Sequence, residues 1–317
     1  MRGFRLKKTA FIFPGQGSQA IGMGKSLCDA YPVAAGVFKE ASEVLGINMT
    51  SLCFNGPEAE LNRTENTQPA ILTASVAALR VLDSEYKISP SFVAGHSLGE
   101  YTALVCAGVL SFKDAVRVVR LRGRFMQESA PEGAGKMSAI LGLTPEVVQG
   151  ICKESSTENE PVVAANINSP EQVVISGEAK AIERAGKLAS EKGAKRVLPL
   201  PVSVPSHSPL MKPAAERLDA ELSKISFNEF SFPLISNVEA APSSDILKVR
   251  NLLKRQLTEP VKWVDIIKRM RSEGVEATIE IGPGKVLSGL VKRIEKDIQT
   301  LNFGSPEDLG KLKEVLG

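Results

Sequence analysis

Aromatic residues, cysteine and histidine are scarce in this chain of 317 residues: aromatics make up 5%, with four cysteines, two histidines and one tryptophan. Cys28, Cys53, Cys106 and Cys152 form no CxxC pair and keep no metal-ligand spacing with histidine. That excludes a zinc module or a disulfide scaffold and points to free thiols in a reducing compartment. No apolar run approaches the ~18–20 residues that span a bilayer. The basic start, MRGFRLKKTAFIF, breaks at Pro14-Gly15 before it could form the apolar core of a secretion signal. A large excess of one charge is also missing. The net charge of +3, from 39 basic and 36 acidic residues, leaves room for a modest basic patch against an acidic protein partner. It does not supply the concentrated basic face of a nucleic-acid binder. The expectation is a cytoplasmic, monomeric protein with no nucleic-acid or membrane partner.

What is present is the alternation of an α/β enzyme. Thr9–Phe13 is an apolar run stopped by Pro14-Gly15 and reads as a buried strand. Ala70–Leu82 has helical spacing of Ala, Val and Leu. Ser91–Gly95 is a second buried strand, turning through His96-Ser97-Leu98-Gly99 into a helix from Glu100 to Ala107, with Gly108 at its end. Asp114 is the expected N-cap of a helix reaching about Ser129. Strands alternating with helices predict a largely parallel sheet covered on both faces. After Pro131–Gly135 the pattern changes to strand Lys136–Gly142, helix Pro145–Glu154, strands Pro161–Asn168 and Gln172–Ser176, helix Ala179–Lys192 and strand Ala194–Leu200. That βαββαβ order is a ferredoxin-like unit. The predicted organisation is a hydrolase-like parallel-sheet core, residues 1–130 and 203–317, with an inserted ferredoxin-like subdomain at 131–202. Ala277–Ile281 supplies a later strand, followed by a helix from about Val286.

Gly95-His-Ser97-Leu-Gly99 fits GxSxG with a strand before it and a helix after it, the setting of a nucleophile elbow. A serine on so sharp a turn needs a strained backbone, and glycines two residues either side avoid a clash. Serine also needs a base at neutral pH. Of the two histidines, His96 adjoins Ser97, where neighbouring side chains splay apart, and reads as packing. His207, in Val204-Pro-Ser-His207-Ser208-Pro209, lies on a stiff loop before a helix that Ser208 would cap and Pro209 would begin. No acid to orient the imidazole is evident, although a backbone carbonyl could do so. On the helix Asp114–Ser129, Arg117, Arg120 and Arg124 share a solvated face, while Arg122 points among Val118, Val119, Phe125 and Met126. A guanidinium on an apolar face needs an anion. That anion is either a buried Asp or Glu or the carboxylate of a substrate, which arginine binds bidentately.

Taken together, Phe13-Pro-Gly-Gln16-Gly-Ser-Gln19, Gly95–Gly99, Arg122-Gly-x-x-Met-Gln127, Val204-Pro-Ser-His207 and Glu280-Ile-Gly-Pro-Gly284 resemble, in this order, the malonyl-CoA:acyl carrier protein transacylases of type II fatty acid synthesis. The likeness runs from about Thr9 to Ile294. It implies that Ser97 is the acylated nucleophile and His207 its base, held by the main-chain carbonyl of Gln256. It further implies an oxyanion hole from the amides of Gln16 and Leu98, a malonyl carboxylate on Arg122, and Asn166 and Gln68 lining the pocket. Malonyl-CoA and holo-acyl carrier protein would be the substrates, with no cofactor. The same elbow would serve a serine esterase or thioesterase, or the acyltransferase of a trans-acting polyketide system, and a carrier-docking module could keep the fold without acylation.

Overall fold

The computed structural model describes residues 7–129, 131, 133–201 and 204–316, with side chains through 312. The start of the basic leader, and Ala130, Val202 and Ser203 at the expected subdomain boundaries, lie outside the described residues.

The larger sheet contains β1 (Thr9–Phe13) and β2 (Phe92–Gly95) at its centre. Ten strands are described in all, and in chain order the next are β3 (Gly135–Leu141), β4 (Val162–Ser169), β5 (Gln172–Glu178) and β6 (Arg196–Pro199). They are followed by β7 (Leu234–Ile235), β8 (Pro242–Ser243), β9 (Ala277–Ile281) and β10 (Gln299–Phe303). The larger sheet runs β10-β9-β1-β2-β7-β8, parallel throughout except for the terminal β7–β8 pair. β1 shows why its sequence is an unbroken apolar run. Phe11 and Phe13 enter one core, with residues of the helices Thr64–Glu85 and Phe112–Glu128. Ala10 and Ile12 enter a second core on the opposite face, with Trp263, Ile266, Ile267 and Leu290. Side chains alternate between faces and both faces are covered, so no polar alternation survives.

The smaller sheet runs β4-β5-β3-β6, antiparallel throughout. With the helices Pro145–Ser155 and Ala179–Glu191 it forms the expected βαββαβ unit. Ile140, Val173 and Ile175 pack under Val148, Ile151 and Ile182 of those helices. The opposite face carries a small cluster of Met137, Ala139, Ala165 and Val174. β4 also forms an isolated parallel bridge, between Asn166 and Val261, to the segment that leads into the helix Trp263–Ser272. Its hydrogen bonds are Ile167 N–H to Val261 O at 3.0 Å and Val261 N–H to Ala165 O at 2.9 Å.

Three local expectations are corrected. Ser111, not Asp114, caps the helix Phe112–Glu128, because its hydroxyl accepts the Asp114 N–H at 3.0 Å. Asp114 then sits in the first turn, where its charge suits the helix dipole. Ser208 precedes a 3₁₀ turn, Pro209–Met211, and the helix proper is Lys212–Leu222. Its hydroxyl turns back to donate to Pro205 O at 2.6 Å, so it stiffens the loop instead of capping. Arg117 and Arg124 are exposed as expected, whereas Arg120 is half-buried.

Candidate active site

The elbow forms where β2 meets the helix Gly99–Cys106. Ser97 has φ 50°, a left-handed value that costs a non-glycine residue about 1–3 kcal/mol. The tightness of the turn dictates its glycines. A Cβ on Gly95 would lie 1.9 Å from the Gly99 carbonyl carbon, and one on Gly99 would lie 2.1 Å from Phe13 O. Gly15 is held to glycine for the same reason, since its Cβ would come within 2.3 Å of His96 O. One side chain braces the strained turn from outside. Asn237 accepts the Ser97 N–H on Oδ1 at 2.8 Å and donates from Nδ2 to Gly95 O at 2.6 Å.

His207 reaches the serine from the distant loop, itself at φ 59°. Its Nε2 lies 2.8 Å from Ser97 Oγ, and its Nδ1 lies 2.6 Å from the main-chain oxygen of Gln256. A carbonyl can only accept, so Nδ1 carries the proton and Nε2 offers its lone pair to the serine hydroxyl. The ring is 2% exposed. Burial, and then the nearby Arg122 charge, push its pKa down to about 3, against the opposing Gln256 bond. His96 splays the other way. Its Nε2 meets Asn168 Oδ1 at 2.8 Å, and its ring packs 5.6 Å from that of Trp263.

Arg122 is 1% exposed. Gly123 beside it lets its helix press against the chain at Thr64, where a Cβ would be 2.6 Å from Thr64 O. The guanidinium donates from Nη1 to Gln68 Oε1 at 2.7 Å. From Nη2 it donates to Ser97 Oγ and to Gln256 Oε1, each at 3.0 Å. Among the described residues no carboxylate comes within ion-pair distance of it, and its Nε is buried without a partner. Burial lowers its pKa, with Tyr101 and Glu100 acting in the opposite direction.

Ser97, His207, Arg122, Gln16, Leu98 and Asn166 share one cavity of about 120 Å³, together with Met137 and Leu200 from the smaller sheet. Leu98 stands at the start of the helix Gly99–Cys106, where the first N–H groups have no intrahelical acceptor and the dipole is positive. Gln68 differs from its expected position. It lies behind the cavity, buried, holding Arg122 and donating from Nε2 to Met126 Sδ at 3.5 Å.

Behind the cavity lie Glu100 and Asn237, polar residues that sequence reading passed over, both 0% exposed. Glu100 carried a readable signal. It is the one charge on the buried helix Gly99–Cys106, GEYTALVC, and like Arg122 it is a charged side chain among apolar neighbours that needs a partner. Asn237 carried none, because only the fold brings its loop to the elbow. The side chain of Gln256 was also missed. Its Nε2 donates to Ser97 O at 3.0 Å and to Glu100 Oε2 at 2.8 Å.

Residues 10–312 match the model of the acyl transferase domain family. A malonyl CoA-acyl carrier protein transacylase of Salmonella typhimurium is 50% identical over 300 residues, covering 95% of this chain and 97% of its own. One from Bacillus subtilis (strain 168) is 49% identical and covers 96% of each. The crystal structure of an acyl carrier protein S-malonyltransferase from Vibrio cholerae superposes with a TM-score of 0.94 at 49% identity, over 96% of this chain and 99% of that one. A malonyl-transacylase solved in complex with a type II PKS acyl-carrier protein has a TM-score of 0.94 at 48% identity, over 97% of this chain and 99% of that one. The elbow and its histidine thus sit in a chain that belongs to the acyl transferase domain family, among its malonyl CoA-acyl carrier protein transacylases.

Proposed function

We propose that this enzyme moves a malonyl group from coenzyme A to the phosphopantetheine thiol of an acyl carrier protein by way of a malonyl ester on Ser97. One observation carries this reading: a buried arginine, without an ion pair of its own, touches the hydroxyl of an activated serine. A plain esterase has no use for such a cation. A transferase of dicarboxylic acyl groups does, because the free carboxylate of the acyl group needs a partner inside a dry pocket.

In the first half-reaction His207 Nε2 takes the Ser97 proton while Oγ attacks the thioester carbonyl. The tetrahedral oxyanion rests on the amides of Gln16 and Leu98, each such donor contributing about 10²–10³ in rate. The carbon–sulfur bond breaks, the imidazolium returns the proton to the sulfur, and coenzyme A leaves. Arg122 releases Oγ and pairs with the malonyl carboxylate. That pairing also strengthens the base, since the unpaired guanidinium is one of the causes that depress His207. In the second half-reaction the carrier thiol loses its proton to His207, attacks the ester, and expels Ser97 Oγ, which recovers the proton. Intact mass after exposure to malonyl-CoA tests the scheme. Wild-type enzyme should gain one malonyl group and Ser97→Ala none; hydrolysis of malonyl-CoA with no transfer to carrier protein would favour the esterase reading instead.

A further inference from the structure

Glu100 is completely buried, yet only one of its oxygens is satisfied. Oε2 accepts from the Asn237 N–H at 3.1 Å and from Gln256 Nε2 at 2.8 Å, while Oε1 is enclosed without a hydrogen-bond partner. Such a carboxylate is costly to keep ionised unless a cation balances it. The cation is Arg122, and the two do not touch. They are joined through a single amide: Gln256 turns its Nε2 to Glu100 and its Oε1 to Arg122 Nη2. The two buried opposite charges therefore have no direct ion pair, and an amide dipole is aligned between them. An acyl group bearing a carboxylate would supply an anion to the arginine only.

We propose that Glu100 is the counter-charge of Arg122 and takes up a proton when the carboxylate of an incoming malonyl group replaces it. This rests on the reading that Ser97 becomes malonylated beside Arg122. Glu100 acts through Gln256 and touches no substrate, so it is a positioning residue that also matches the charge of the pocket to a dicarboxylic acyl group. The groups facing it are Arg122 from the helix Phe112–Glu128, Gln256 from the helix Ile246–Gln256, Asn237 from the loop after β7, and Tyr101 on its own helix. Its own pKa supports the idea: burial raises it to about 7, opposed by Gln256, Asn237 and Arg122. Pairing of Arg122 with a substrate carboxylate weakens the last of these and moves the carboxyl further towards its neutral form.

Proton balance makes the test direct. Acylation forms the Oγ–carbon bond, breaks the carbon–sulfur bond and passes the serine proton to sulfur, so at neutral pH the chemistry itself takes up no proton. Malonyl-CoA is added to the enzyme in weak buffer with a pH indicator, and the malonyl-enzyme is measured by intact mass in the same sample. Uptake should be small at acid pH and rise towards about one proton per malonyl-enzyme as the starting pH passes upward through the Glu100 pKa. Glu100→Gln keeps an acceptor at the Oε2 position, and the malonyl-enzyme it forms, at whatever rate, should show no uptake per adduct. No uptake by wild type, or equal uptake by both proteins, overturns the proposal. His207 is separated by the same control, because its lowered pKa places any uptake of its own at acid pH, where the variant would retain it. Absence of the adduct from wild-type enzyme defeats the malonyl reading instead. Should Glu100→Gln fail to fold, wild-type protein labelled with ¹³C at glutamate carboxyls answers the question. The carboxyl that titrates near neutrality must shift to its protonated position on malonylation, and a resonance left unmoved overturns the proposal.

Discussion

β2 and β4 both deliver residues to the same cavity, and they supply it with different chemistry. β2 is a central strand of the parallel sheet, and its end becomes the elbow bearing Ser97 and the helix amides. β4 is an edge strand of the antiparallel sheet and contributes a wall, with Asn166 on the cavity and Asn168 fastened to His96. In a parallel sheet the carboxyl ends of the strands lie together and feed helix N-termini, so strain, dipoles and loops converge there. Successive strands of an antiparallel sheet end on opposite sides, which suits a lining surface better than a catalytic one. The wall should therefore tolerate substitutions that the elbow side does not.

Four outcomes would test that contrast. The largest belongs to His207→Ala, which should lower the rate of Ser97 malonylation by about 10⁴-fold or more, as removal of a triad histidine does. Rapid-quench mass spectrometry measures it, and near-normal acylation would move the base elsewhere. Next is Arg122→Ala, which should lose about 1.5–3 kcal/mol of carboxylate recognition, the scale of a charged hydrogen bond. Competition between malonyl-CoA and acetyl-CoA reads this, and a retained malonyl preference would refute the clamp.

The third outcome is a pH effect on stability. The folded His207 pKa of about 3 lies below the ordinary histidine value of 6.5, so between these limits the unfolded chain binds more protons. This histidine therefore favours unfolding increasingly as pH falls from about 6.5, by at most about 1.4 kcal/mol per pH unit. Glu100 has the opposite sign between 4.5 and about 7. Urea midpoints of wild type and His207→Gln across this range isolate the histidine: the variant should lose less stability on acidification, and parallel curves would contradict its buried neutral state. The smallest effect is expected from Asn166→Ala on the wall, a loss of about 0.5–1.5 kcal/mol appearing in KM more than in kcat. A fall in kcat as large as that of Arg122→Ala would place β4 in the chemistry itself.

Much of this was legible in the residues. The apolar runs at Thr9–Phe13 and Ala277–Ile281 are strands with those bounds, and the βαββαβ order of the smaller sheet is as read. Boundaries shifted where capping is decided by side-chain reach, as at Ser111 and Asp114. Arg122 was found because a charge among apolar neighbours breaks a helical pattern. Glu100 broke the pattern of its own helix in the same way and was passed over, because the serine motif next to it already accounted for the local sequence. Gln256 entered only through a resemblance, since nothing about a polar residue near a helix end announces that its carbonyl will orient an imidazole.

From sequence alone came the elements, their alternation and the strained serine turn, because these depend on periodicity, on glycine and on contacts a few residues apart. Only the packed fold set the 2.8 Å reach of His207 to that serine, the amide that braces it and the acid that lies behind the arginine. Ser97 and Gln256 are 159 positions apart along the chain, and Glu100 and Asn237 are 137 apart. Hydrogen-bond partners at such separations are selected by how helices and loops pack around the ends of a sheet, and no local pattern encodes that distance.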